Sequence, residues 1–339
     1  MNPIHCPKSA EIANEVDSVS KDRYAFWKIG PARPEQWRSA FRVLFQGLPE
    51  PQRDERVATA LRMARAGELD ADGIIVVQDE QELLGAILCL PVAGAGGLVW
   101  PPQAAVGDAV SLIEDQLTQF GCAWLRQQGT KLAQALLAPD EVQLATPLVR
   151  SGFRHVTRLW YLRRDLRLGL VAQDSPFERL SYASYENTRR EVFHRTLLLT
   201  YQESLDCPEV NGVRSIEEII AGHKAQGKLG ARRWWLALHE AEPAGVLLLS
   251  EMPESGSWDI SYLGVVPQLR RRGLGRELTT KALIEARTFR ASEATLSVDA
   301  RNLHAWKLYR NLGFEPYGQR EVYLALLAVD EPAVGRAAH

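Results

Sequence analysis

Between Trp258 and Leu278 the chain reads WDISYLGVVPQLRRRGLGREL, and in this stretch residue types and spacing suit the binding of an anion. Trp258 to Val266, rich in aromatic and β-branched residues, predicts a strand. Pro267 ends it, because proline has no N–H to donate to a ladder. Arg270, Arg271 and Arg272 then precede Gly273, Leu274 and Gly275. From there Leu274, Leu278, Ala282 and Ala286 recur as the apolar stripe of an amphipathic helix. A strand, a tight glycine turn and a helix start form an anion site, since the first helical N–H groups are unpaired and the helix dipole is positive there. Gly273 and Gly275 allow the backbone to approach a ligand closely. The spacing does not fit a dinucleotide fingerprint, G-x-G-x-x-G with a later acidic residue, or a Walker loop with its Gly-Lys-Ser/Thr.

A second cluster follows in NLHAWKLYRNLGF, Asn302 to Phe314. Thr295 to Val298 predicts a short strand, and Asn302 opens a helix with Ala305, Leu308 and Leu312 on its apolar face. Gly313 stands where a C-capping glycine belongs, and Phe314 begins a strand ending in Val322, Tyr323 and Leu324. Arg270-x-x-Gly273-x-Gly275 behind Val265, Val266 and Pro267 resembles the acetyl-coenzyme A pyrophosphate loop of the GNAT superfamily of N-acetyltransferases. Asn302 with Leu308 and Tyr309 resembles that family's second signature. The motif-level resemblance covers about residues 177–328.

Composition bounds the rest. A chain of 339 residues predicts two domains, and 46% hydrophobic with 24% charged residues is the balance of a soluble globular protein. The net charge of −2 argues against a nucleic-acid partner, so the arginine run is a local feature. Cys6, Cys89, Cys122 and Cys207 lie far apart, which indicates neither a zinc site nor a disulfide framework. No signal-peptide h-region and no membrane span of ~20 apolar residues is present. A cytoplasmic location is the default expectation.

Residues 1–25 are polar and aperiodic, a lead-in. Pro34 opens a helix marked by Trp37, Ala40, Phe41 and Leu44. A second carries Val57, Ala60, Leu61 and Ala64, and a hairpin spans Gly73 to Val77 and Leu83 to Leu90. Leu98 to Trp100, a helix through Ile113, Leu117, Phe120 and Trp124, a strand from Leu132 to Leu137, a short helix and a strand from Phe153 to Leu162 complete this half. The second half follows the same order. Its helices are marked by Phe193, Leu197 and Tyr201 and by the capping-box pair Ser215 and Glu218; its hairpin joins Trp234 to Leu238 with Val246 to Leu249. We infer an internal duplication with domains at 26–168 and 177–328 and a linker near Leu168 to Pro176. The expected fold is α/β: two tandem GNAT-like domains, each a mostly antiparallel sheet flanked by helices. The first copy lacks the chemistry. Val99, Trp100, Pro101 and Pro102 stand where the second has Val265, Val266 and Pro267; Asp108 would repel a pyrophosphate, and no tyrosine matches Tyr309. A tandem pair with one degenerate copy resembles the mycothiol synthase type within the family, a likeness of architecture.

The resemblance implies acetyl-CoA as cofactor. It would be held by Leu263, Gly264, Val265 and Val266 on the strand, by Arg270, Arg271, Arg272, Gly273, Leu274, Gly275 and Arg276 on the turn, and by Asn302, for which a helix N-cap role is also open. Transfer of an acyl group to an amine needs a base for the ammonium proton, a donor for the oxyanion and a proton for the leaving thiolate. Asp259 is the candidate base, where tandem members of this type carry glutamate. It shares a strand face with Ser261 and Leu263; a solvent salt bridge is its other reading, and Glu251 is the reserve. Tyr309 is the candidate acid or, alternatively, a packing group against pantetheine. The acceptor, a small-molecule amine, would meet the loop after the second half's first helix through Tyr201, Asp206, Glu209, Asn211 and Arg214. A capped turn between helices is the alternative there. Cys207 has no partner base, His223 and His304 read as surface histidines, and no metal site is expected. A non-catalytic acyl-CoA sensor and a protein or peptide acetyltransferase are the competing functions.

Overall fold

The computed structural model describes residues 27–80, 82–105, 107, 109–167, 179–185, 190–227, 230–252 and 255–327. The lead-in at 1–25, the linker near Leu168 to Pro176, and Asp108 lie outside the described residues. The chain forms two compact units, one of residues 1–155 with 322–339 and one of residues 156–321.

The first unit runs β1 (Lys28–Pro31), α1 (Trp37–Leu44), α2 (Glu50–Ala66), β2 (Ile74–Gln78), β3 (Leu83–Val92), β4 (Gly96–Ala104), α3 (Val110–Gln127), β5 (Leu132–Leu137) and α4 (Thr146–Arg150). The strands β1 to β4 pair antiparallel in sequence order, and β5 pairs parallel to β4. The apolar stripe of α3, with Ile113, Leu117 and Leu125, buries one sheet face with Ile75, Val77 and Ala135. On the other face Phe41 and Leu44 of α1 and Val57 and Leu61 of α2 cover Ile74 and Val76.

The second unit repeats the plan. After β6 (Arg154–Asp165) come β7 (Leu180–Ser184), α5 (Arg190–Tyr201), α6 (Ile216–Lys224), β8 (Trp234–His239), β9 (Glu242–Met252), β10 (Ser257–Val265), α7 (Leu274–Thr288), β11 (Glu293–Asp299), α8 (Leu303–Asn311) and β12 (Glu315–Leu326). Here too four strands pair antiparallel before one parallel pair, β10 with β11. Leu274, Leu278, Ala282 and Ala286, the stripe read from the sequence, are buried against Leu247, Leu249 and Leu296. Phe193 and Leu197 of α5, with Ile219 and Ile220 of α6, cover Trp234, Leu236, Val246 and Leu248 on the opposite face. Leading strands β1 and β7 are absent from the sequence reading; both are short, and β1 (KIGP) shows no alternation.

The compact units cut the chain differently from the expected 26–168 and 177–328. The strand that closes the first half in sequence, β6, pairs antiparallel with β11 from Asp165–Glu293 to Leu159–Asp299, inside the second unit. The far part of β12 belongs to the first unit, where Tyr323, Ala325 and Leu327 join its core and the Leu327 amide donates to the Lys131 carbonyl (2.8 Å). The closing strands are exchanged. Alternation alone does not select which of two duplicated sheet edges a strand joins. A fragment of residues 156–321 should therefore melt cooperatively in calorimetry. Residues 177–328, without β6, leave the β11 edge bare and should aggregate; equal, cooperative melting of both fragments would contradict the exchange.

Candidate functional site

β10 and β11 are paired only at Ser257–Glu293, Trp258–Ala294 and Asp259–Thr295, after which they part. A bulge helps to turn β10 away: Ile260 faces Leu249 and Tyr262 faces Leu248, leaving Ser261 as the extra residue. On the β9 side the ladder continues, with the Val266 amide donating to the Ala244 carbonyl (2.9 Å). By alternation the backbone groups of Leu263 and Val265 point the other way, into the gap. Gly264 is required there, since a Cβ would lie 2.6 Å from Thr200 of α5.

A cavity of about 480 Å³ fills this gap and the space before α7. It brings together Leu263, Gly264, Val265, Arg270, Arg271, Gly273, Gly275, Arg276 and Asn302 of the expected cofactor residues. Val266 and Leu274 are instead buried in the core, and Arg272 does not line the cavity; its carbonyl accepts from Arg179 (2.9 Å). Gly273 caps α7 with φ +86°, a left-handed conformation that suits glycine. The Leu274 and Gly275 amides precede the first helical bond, that of Arg276 to the Gly273 carbonyl (3.1 Å), and are left for an anion. Arg270 does something different from phosphate binding. Its guanidinium donates to the carbonyls of Val265 (3.0 Å), Glu203 (3.1 Å), Thr200 (3.0 Å) and Gln202 (2.6 Å), fastening the end of α5 to the loop.

Asp259 stands in the last pair before the strands part and accepts from the Thr295 hydroxyl (2.8 Å), but it does not line the cavity; its carboxylate lies near the phenols of Tyr161 and Tyr317. Burial raises its pKa from 3.8 to about 6 against the lowering effect of that bond. No cation bridges it among the described residues, so the salt-bridge reading falls away. Glu251 sits opposite Trp258, outside the cavity. Tyr309 is buried edge-on to Phe314 (5.8 Å) directly after the cavity-lining Leu308. Burial, and then the nearby Asp206 carboxylate, push its phenol pKa well up, so it keeps its proton.

The loop after α5 docks on the turn between β11 and α8. Asp206 accepts from the Asp299 amide (3.1 Å) and the Asn302 side chain (2.9 Å), and Asn302 also caps α8 by accepting from Ala305 (3.1 Å). Glu209, expected to meet the substrate, is instead held by a fork of Arg301 (2.6 and 3.0 Å). Arg301 also grips Asp299, whose other donors are Thr157 (2.6 Å) and the Cys207 amide (3.0 Å). Burial works against the Asp299 charge, yet these donors outweigh it and hold its pKa at about 2. Asp299 and Arg301 were missed in the sequence; a strand-end carboxylate with an arginine two positions on was the available signal. Cys207, at φ +42°, has its thiol pushed up to about 12 by burial and by Asp299 and Asp206, and is no nucleophile at neutral pH.

A second cavity of about 390 Å³ adjoins the first, sharing Ser204, Asp206 and Tyr262. Tyr201, Asn211, Arg214 and His223 also line it. His223 is thus no plain surface residue: its Nε2 lies 3.4 Å from the Tyr201 hydroxyl, and burial lowers its pKa to about 4. Among the described residues no cluster of His, Cys, Asp and Glu could hold a metal, and no helix is long and apolar enough to cross a membrane.

Residues 199–314, which supply all of the lining of both cavities except Leu198, match the Acetyltransferase (GNAT) family. A mycothiol acetyltransferase of Beutenbergia cavernae is 30% identical over 302 residues, covering 80% of this chain and 97% of that protein. The chain belongs to the GNAT acetyltransferase family. A mycothiol acetyltransferase of Saccharopolyspora erythraea is 26% identical over 56% of this chain and 68% of that one. A GCN5-related N-acetyltransferase from Sphaerobacter thermophilus shares the fold at a TM-score of 0.56 and 16% identity, over 89% of this chain and 96% of that one. Acetyltransferases of this family take acetyl-CoA as donor, and this GNAT chain is an acetyl-CoA-dependent N-acyltransferase.

The raised pKa of Asp259 ties the site to stability. Its carboxyl is best accommodated protonated; that contribution is intact below about pH 4 and is lost as pH rises through about 6. Asp259→Asn, which keeps an acceptor for Thr295, should therefore melt higher than the parent at pH 7.5, by up to about 3 kcal/mol of stability. The gap should close toward pH 4. A melting difference that is the same at both pH values would contradict the buried, ionised carboxylate.

Proposed function

We propose that this chain transfers an acetyl group from acetyl-CoA to a primary amine of a small molecule by direct attack, without an acyl-enzyme. The observation that carries this reading is the parted β10–β11 pair opening onto the N-terminus of α7. An extended pantetheine arm fits beside the backbone of Leu263 and the amide of Val265, and a diphosphate fits the Leu274 and Gly275 amides. Acetyl-CoA supplies the thioester carbonyl that the amine attacks. The Leu263 or Val265 amide stabilises the developing oxyanion. Asp259, ionised above about pH 6, accepts the ammonium proton directly or through a water. As the C–S bond breaks, Tyr309 gives its proton to the thiolate.

The second cavity is the acceptor side in this reading. Tyr201, Asn211 and Arg214 line it, and Glu209 supports the wall through Arg301 rather than touching the amine. The name mycothiol acetyltransferase, shared by the relatives, favours a small-molecule acceptor of that kind. The first unit takes no part in cofactor binding. Ala104 faces Gly85 as Val265 faces Gly245, so counting back sets Pro102 in the place of Leu263. A proline there has no N–H to offer.

Calorimetry with acetyl-CoA should accordingly find one tight site per chain, abolished by Gly275→Asp, which adds bulk and negative charge where the diphosphate sits. Two equivalent sites, or unchanged affinity in the variant, would overturn the assignment. Tyr309→Phe removes only a hydroxyl; acetyl-CoA affinity should hold while turnover, followed as free thiol, falls by roughly 10²–10⁴. Near-normal turnover would leave Tyr309 as a packing residue.

A further inference from the structure

Across the mouth of the larger cavity, Arg271 Nη1 lies 2.6 Å from His304 Nε2. Both residues are exposed, and both line the cavity with Gly273, Gly275 and Arg276. A guanidinium has donors only, so in this pair Nε2 is the acceptor and the imidazole is neutral. Arg271 reaches it from a left-handed backbone (φ +64°), a conformation unfavourable for a non-glycine residue. His304 stands in the first turn of α8, whose N-terminus points into the same space. Neither residue forms an ion pair among the described residues. An arginine spending its charge on a neutral imidazole, between two helix N-termini, is matched far less well than by an anion.

We propose that His304 is a ligand of the acetyl-CoA diphosphate, which displaces it from Arg271, and that His304 then takes up a proton and binds a phosphate oxygen as an imidazolium. This rests on the cofactor reading above. Before binding, a cationic ring would repel Arg271; with the diphosphate between them the two cations share an anion, and the freed Nε2 lone pair accepts a proton from solvent. Histidine is the side chain that makes this exchange near neutral pH. The other charged groups lining the cavity with the pair are Glu203 and Asp206 from the α5 side and Arg270 and Arg276 from the loop and α7; on the chain around His304, Arg301 and Lys307 do not line it. Arg270 is spent on carbonyls, Asp206 on the Asp299 amide and Asn302, and Arg301 on Asp299 and Glu209.

The test is calorimetric titration of the full chain with acetyl-CoA near pH 6.5–7 in buffers of different ionisation enthalpy. The parent should take up a fraction of a proton per cofactor bound, and its affinity should tighten about 3–10-fold from pH 8 to pH 6. His304→Gln, which keeps an acceptor for Arg271 but cannot ionise, should lose both the uptake and the pH dependence. If His304→Gln keeps the parent's uptake and pH dependence, the proton belongs to another group and the proposal fails. If the parent does not bind acetyl-CoA at all, the cofactor reading itself fails, and this proposal with it.

Discussion

The site depends on two strands that stop pairing. A parallel ladder satisfies every backbone group it covers, so a ligand can use a strand's edge only where the partner strand leaves. β10 and β11 separate directly after Asp259 and Thr295, and three features enforce it. Ser261 bulges β10, Gly264 lets α5 press within contact of its end, and Arg270 ties the last carbonyls of α5 to the carbonyl of Val265. Leu263 and the amide of Val265 then face a cavity that the α7 N-terminus closes at its far end, while the Val265 carbonyl is held by Arg270. Arg270 therefore belongs to the scaffold of the opening, its guanidinium taken up by backbone carbonyls.

A second constraint sits on the acceptor side. The loop after α5 is long and polar, and on its own would be free to move. Its acids are turned inward to the β11–α8 turn, where Asp206, Glu209, Asp299, Arg301 and Asn302 form one connected network. That network holds the wall shared by the two cavities. Charges that looked like a cradle for an ammonium are largely consumed in building the wall. The second cavity is lined by Tyr201, Asn211, Arg214 and a His223 that burial keeps neutral.

The lining of the larger cavity was legible in the sequence because its signals are local. Gly273 must take a positive φ, Leu274 to Ala286 must show a helical period, and Asn302 must cap a helix; each is a demand on neighbours a few residues apart. What sequence could not show depended on distant pairings. Glu209 meets Arg301 and Arg270 meets Thr200 only once the chain has folded. The exchange of β6 and β12 is illegible for a related reason: a duplicated chain offers two edges with one pattern, and alternation alone does not say which edge each strand joins. Short β1 and β7 gave no period to read.

The alignment of the two halves shows how the register corrects a sequence match. Val99 to Pro102 look like Val265 to Pro267 because both end in proline after valine. The ladders set Ala104 beside Gly85 and Val265 beside Gly245, and the close approach of Gly85 to the Gln103 carbonyl repeats that of Gly245 to the Gly264 carbonyl. Pro101 and Pro102 thus lie inside the parted stretch. There Pro102, in the place of Leu263, removes an N–H that would otherwise be left unpaired when β4 leaves β5 after Leu98. The same fold opens the same gap twice. In one half the parted backbone keeps its N–H groups, and in the other a proline dispenses with one of them.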